Sequence, residues 1–133
     1  MNELSKNALK IILGILSAVM VFHFCIIFKI IPYNITWGGR LQNDEEMYVF
    51  EAISILINLF LMLVLLMKEG YLKYKFSERT INIILWIFVF IFLLNTVGNI
   101  FAKTAFEKIF TGLTLLLAVL IWLIIRKKNL DTL

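Results

Sequence analysis

"YVFEAISILINLF", residues 48–60, is an apolar run interrupted by Glu51, Ser54 and Asn58. Extended both ways it covers about 44–67, and about 20 predominantly apolar residues suffice to cross the roughly 30 Å of hydrocarbon in a bilayer. The chain of 133 residues supplies that length three more times, at about 8–31, 78–102 and 105–126. Backbone groups in hydrocarbon must bond within their own segment, so these spans are predicted to be helices rather than strands. Short connections make sequential helices antiparallel. The expected fold is therefore all-α, one domain over 1–133, a four-helix up-down transmembrane bundle.

Composition supports this. Hydrophobic residues are 62% of the chain against about 45–50% apolar residues in an ordinary soluble domain, and the mean hydropathy is +0.94. The net charge of +4 sits at the ends of apolar runs, so it reads as membrane topology and not as a nucleic-acid footprint. A single cysteine, Cys25, excludes an internal disulfide and the C-x-x-C chemistry of four-span thiol oxidoreductases. The first apolar run exceeds the about 7–15 residues of a signal peptide. It has no small-x-small cleavage site, and "HFC" before Ile26 lacks the small residues of a lipoprotein box. The segment is expected to stay as a membrane helix.

Start signals agree with the spans. Asn43 with Glu46, and Thr104 with Glu107, have capping-box spacing, while Ser77 and Ser5 are candidate caps of the third and first helices. Pro32 is the expected stop of the first. Lys6, Lys10, Lys68, Lys73, Lys75, Arg79, Arg126, Lys127 and Lys128 fall on one side, and Lys29, Arg40, Lys103 and Lys108 on the other. The excess predicts both termini in the cytoplasm, in the cytoplasmic membrane. It also argues against transporters that insert in both directions, which need a nearly neutral balance. "YLKYKF", residues 71–76, reads as an interfacial anchor on an anionic leaflet.

With that orientation the polar residues of the spans gather in the outer half. Glu51, Ser54 and Asn58 share one face of the second helix, Asn95, Gly98, Asn99 and Ala102 one face of the third, and Glu107, Thr111 and Thr114 one face of the fourth. His23 and Lys29 lie in the outer half of the first. A charge at the centre of a membrane helix costs about 2.5–3.5 kcal/mol on insertion scales. These faces are therefore expected to meet in an outward-opening polar cavity or a sealed hydrogen-bond network, with purely apolar inner halves. Gly14 and Ala18 form a small-xxx-small pair for packing within the bundle or in a dimer, and Gly98 is expected to admit a close helix.

Above the cluster runs "PYNITWGGRLQNDEE", residues 32–46. Trp37 suits the interface. Gly38 and Gly39 beside Arg40 could present backbone N–H groups to an anion, although a plain turn with Arg40 paired to Glu45, Glu46 or Glu51 explains the same residues. Glu51 is either functional, as intramembrane ionisable groups are by default, or a structural partner of Arg40, Lys29 or Lys103. Glu107 reads as a cap as well as a site residue, Lys108 as a snorkelling side chain, and Asn95 and Asn99 as ligand contacts or interhelical glue. The candidate ligand-binding set is Trp37, Arg40, Glu51, Ser54, Asn95, Asn99, Lys103, Glu107 and Lys108, with His23 and Asn58 as further candidates. His23 is the single histidine, so bis-histidine haem within one chain is excluded and a zinc site would need carboxylates from several helices. No metal and no cofactor is implied, and no residue is assigned a catalytic role.

"WGGR" (37–40), Glu51, "NTVGN" (95–99) and "AKTAFEK" (102–108) resemble corresponding segments in a group of small four-span bacterial membrane proteins rich in Ile, Lys and Asn, over nearly the whole chain. The resemblance implies a bacterial cytoplasmic-membrane location and carries no activity with it. Three readings follow. The leading expectation is a protein that binds, or helps to transport, a small polar or anionic lipid-head-group ligand. The second is an accessory subunit acting through a membrane-protein partner or a second copy. The third is a lipid-directed enzyme using Glu51 and His23 as an acid/base pair. Beyond the lipid bilayer, the partners implied are that ligand, a homodimer or another membrane protein, and no nucleic acid.

Overall fold

The computed structural model describes residues 3–37, 40–73, 76–102 and 104–131, with side chains as far as Arg126. Four helices account for most of it: α1 (Glu3–Ile27), α2 (Asp44–Lys68), α3 (Glu78–Ile100) and α4 (Ala105–Asp131). Each is long and apolar enough to cross a membrane. At 1.5 Å per residue each reaches at least about 34 Å, enough for roughly 30 Å of hydrocarbon. α1 packs on α2 and α4, and α3 on the same two, with the α3–α4 interface the most extensive. The result is a closed up-down ring. Its loop end carries the α1–α2 and α3–α4 connections; its termini end carries the α2–α3 connection and both chain ends.

The starts follow the sequence. Asn43 Oδ1 accepts from the Glu46 N–H at 2.9 Å, Ser77 Oγ from the Thr80 N–H at 3.2 Å and Thr104 Oγ1 from the Glu107 N–H at 3.1 Å. Each satisfies one of the orphan donors of a helix start. The Glu46 carboxylate reaches back to the Gln42 N–H at 3.1 Å, one residue before the expected partner. Ser5 departs from expectation. The helix already begins at Glu3, and the buried Ser5 hydroxyl donates to Glu69 Oε1 at 2.7 Å instead of capping.

Two helices end in the same way. At the end of α2 the Tyr71 N–H bonds the Leu66 carbonyl at 2.9 Å and the Gly70 N–H bonds that of Met67 at 3.2 Å, with Gly70 at φ +82°. This is the Schellman arrangement, which places a left-handed residue just after the helix. α1 repeats it with the Ile30 N–H on Cys25 at 2.9 Å, the Lys29 N–H on Ile26 at 3.0 Å and Lys29 at φ +62°. α1 therefore ends at Ile27, ahead of Pro32, which instead precedes the 3₁₀ turn Tyr33–Ile35.

The main core contains Ile12 and Leu16 of α1, Leu61 and Leu65 of α2, Leu85 and Phe88 of α3, and Ile121 and Ile124 of α4, all close to fully buried. It fills the middle and the termini half. A smaller core, Ile26, Leu41 and Met47, ties the α1–α2 connection to α1 and α2. Along α2 between Tyr48 and Phe60 only Glu51 is buried, and along α3 beyond Phe92 only Thr96. The loop half is thus held by polar contacts and aromatic pairs more than by an aliphatic core.

At Gly70 a Cβ would meet nothing within 4 Å, so substitution there tests backbone conformation alone. Gly70→Ala is expected to lower the unfolding free energy by about 1–2 kcal/mol, the left-handed penalty for an L-residue, in an SDS titration of the detergent-solubilised protein.

Candidate functional site

Glu51 lies seven residues into α2, about 10 Å along the axis from its start, and has no exposed surface. Both carboxylate oxygens are occupied. The Trp37 indole N–H donates to Oε1 at 2.7 Å, and His23 Nδ1 bonds Oε2. The sequence offered Arg40, Lys29 or Lys103 as partners of Glu51; the structure supplies His23 and Trp37. His23 sits one turn before the end of α1, at the same depth of the bundle, whereas Lys29 lies past the α1 terminus.

Lys29 instead pairs with Asp44 Oδ2 at 2.5 Å, on the surface, with side chains 55% and 47% exposed. The hydrogen bond from Asp44, then its charge, hold the Lys29 ammonium above its ordinary 10.5. Arg40 is exposed and forms no ion pair among the described residues. Lys103, Gly38 and Gly39 lie outside the described residues.

Trp37 reaches Glu51 at a conformational cost. Its φ is +55°, a genuine outlier for a bulky side chain, of order 1–3 kcal/mol. A hydrogen bond contributes about 0.5–1.5 kcal/mol net, and the ring also packs on Phe50 at 5.2 Å between centroids, a pairing of about 0.5–1.5 kcal/mol. These contributions offset the cost, so the loop keeps this shape because the Glu51 carboxyl group lies beneath it. On the α1–α4 side, Phe22 packs against Phe106 and Phe110 at 5.6 and 5.2 Å. Thr104 Oγ1 donates to the Ile35 carbonyl at 3.3 Å, joining the α4 start to the same loop.

The remaining candidates separate. Ser54 donates to its own Phe50 carbonyl at 2.8 Å, which satisfies the hydroxyl within α2. Asn58 and Asn99 are half-buried, Lys108 is exposed and Glu107 is buried. Asn95, placed by its spacing among the inward polar groups, is exposed and makes no hydrogen bond among the described residues. Its neighbour Thr96 takes the inward position, sharing a hydrogen bond with Thr114 at 2.8 Å across α3 and α4. Gly14, Ala18 and Gly98 also face outward; no atom lies within 4 Å of a Cβ built at either glycine. What meets is a smaller hydrogen-bonded group of Glu51, His23 and Trp37, with Glu51 fully buried and Trp37 exposed. A depression of about 380 Å³ borders the loop among Lys29, Ile31, Pro32, Tyr33 and Asn34, and none of Glu51, His23 and Trp37 lines it.

Sequence reasoning missed a second polar group, at the termini end. Lys68, with a fully buried side chain, donates to Glu78 Oε1 at 2.7 Å and Asn82 Oδ1 at 2.6 Å. Glu69 beside it accepts from Ser5, while its Oε2 has no partner. The inner halves are therefore not purely apolar. The i, i+4 spacing of Glu78 and Asn82 was the signal, since it aligns both on one face of α3; the cationic partner had been read as topology alone.

No family model, curated protein or solved structure matches the chain. Among the described residues no three of the His, Cys, Asp and Glu side chains gather as metal ligands.

Glu51→Ala removes the acceptor shared by His23 and Trp37 and is expected to destabilise the protein by about 1–3 kcal/mol. In a Trp86→Phe, Trp122→Phe background it should also shift Trp37 emission to the red. The Lys29–Asp44 pair is predicted to contribute its full stability below pH 10.5 and to lose it as pH rises through the raised Lys29 value. Alkaline unfolding should then show a loss that Asp44→Asn abolishes and that about 1 M salt masks.

Proposed function

We propose that the chain is a multi-pass accessory subunit of the bacterial cytoplasmic membrane, with both termini in the cytoplasm, acting through lateral contact with protein partners. The observation that carries this is the occupancy of Glu51. An intramembrane carboxylate meant for a ligand needs an open valence and a cavity, whereas both oxygens here are spent on His23 and Trp37. Such a network fixes helix register and loop shape. The Lys and Arg bias and the resemblance of the loop and span motifs support the location and orientation.

The acid/base reading loses ground for the same reason. His23 and Glu51 are committed to one another, and among the described residues their network holds no nucleophile. Binding of an anionic head group stays as a second reading on one specific observation: Arg40 and Lys108 are exposed at the loop end, and neither is in an ion pair among the described residues.

Native mass spectrometry of the chain ejected from lipid nanodiscs distinguishes the two. The accessory reading expects protein–protein complexes with no discrete small molecule retained. A bound lipid or metabolite on a monomer, lost in Arg40→Ala with helicity intact, would replace it with the ligand-binding reading.

A further inference from the structure

Asn95 lies five residues before the end of α3, about 7.5 Å inside the helix, between the exposed apolar residues Leu94 and Val97. Its carboxamide carries two donors and an acceptor oxygen, and none is used within the chain among the described residues. Asn58 on α2 and Asn99 on α3 also make no hydrogen bond among the described residues, but both are half-buried where Asn95 is exposed, and the two serines nearest mid-helix satisfy their hydroxyls internally. Ser17 on α1, between the exposed Gly14 and Ala18, donates to the Leu13 carbonyl at 2.7 Å, and Ser54 does likewise on α2. Asparagine cannot fold back on a helix carbonyl so readily, and hydrocarbon offers no substitute.

The surroundings of Asn95 suit a helix. Gly98, one turn on, has open space where a Cβ would stand, so a neighbouring backbone could come close. Ile91, one turn back, is 39% exposed and aligns on the same face. A carboxamide is its own complement: across a two-fold axis each donates to the other's oxygen, and one buried asparagine is enough to set the register of paired helices.

We infer that α3 is the contact between two copies of this chain, paired about a two-fold axis along the bundle at Asn95 and Gly98. The inference rests on the accessory reading and names its partner. α1 is not the contact, because its small-residue face leaves no polar group unsatisfied.

Two measurements in phospholipid vesicles test it. In a Cys25→Ser background, Ile91→Cys should form an oxidative cross-linked dimer and Val21→Cys, on the exposed face of α1, should not. By energy transfer on lipid dilution, Asn95→Leu should weaken self-association about three- to twenty-fold, the range for one interhelical carboxamide bond. Asn95→Gln should restore part of it and Gly14→Leu should leave it unchanged. Equal association of Asn95→Leu and the parent chain, or cross-linking at Val21→Cys instead of Ile91→Cys, overturns the α3 contact. A chain that stays monomeric but co-purifies in a fixed ratio with another membrane protein also overturns it while leaving the accessory reading intact. A monomer carrying only a small molecule removes both.

Discussion

A carboxylate inside an apolar helix has to be met by donors that the same helix cannot supply. At Glu51 that requirement brings α1 against α2 through His23 and draws the connecting loop down through Trp37. The loop accepts a left-handed backbone at a tryptophan to do so. Because few aliphatic side chains are buried in this half of the bundle, the polar contact is the main reason the loop end has a defined shape. Remote consequences follow, since the loop also receives the Thr104 hydroxyl and so sets where α4 begins.

The two ends of the bundle solve the same electrostatic problem in different ways. At the loop end the Glu51 carboxyl group is buried and met by ring nitrogens of His23 from α1 and Trp37 from the loop. At the termini end a cation, Lys68, is buried and met by a carboxylate and a carboxamide from α3. Between them lies a continuous aliphatic core drawn from all four helices. Dispersion and exclusion of lipid hold the middle, while directional bonds at each end fix the rotation of each helix about its axis. Hydroxyl groups in between mostly bond their own backbone or, like Thr96 and Thr114, meet across α3 and α4, while the buried Thr111 hydroxyl has no partner among the described residues.

The proposed function turns on which groups are left unsatisfied. Glu51 has no free oxygen. Asn95 has a wholly free side chain on the outside, and Arg40 and Lys108 are exposed at the loop end. Among the described residues, unpartnered polar atoms lie both inside the bundle, at Glu69 Oε2 and Thr111 Oγ1, and on its outside, at Asn95.

How much was readable beforehand follows from the range of the forces involved. Helix number, order and starts are local: apolar length defines the spans, and Asn43, Ser77 and Thr104 cap within three residues of themselves. The importance of Glu51 was equally legible, because burial cost depends on residue type and span position. Its partners were not, since charge suggested Arg40, Lys29 or Lys103 and the left-handed turns at Lys29 and Trp37 decided otherwise. Helical spacing likewise put Asn95 on the inward polar face, whereas Thr96, about 100° further around the axis, is the one that meets α4. The sequence by itself determined that four helices must form and that their polar groups must find partners, for these are consequences of hydrophobicity and hydrogen-bonding capacity counted residue by residue. Only the tertiary structure decided which partners, because the rotation of each helix is set by the packing of all four at once.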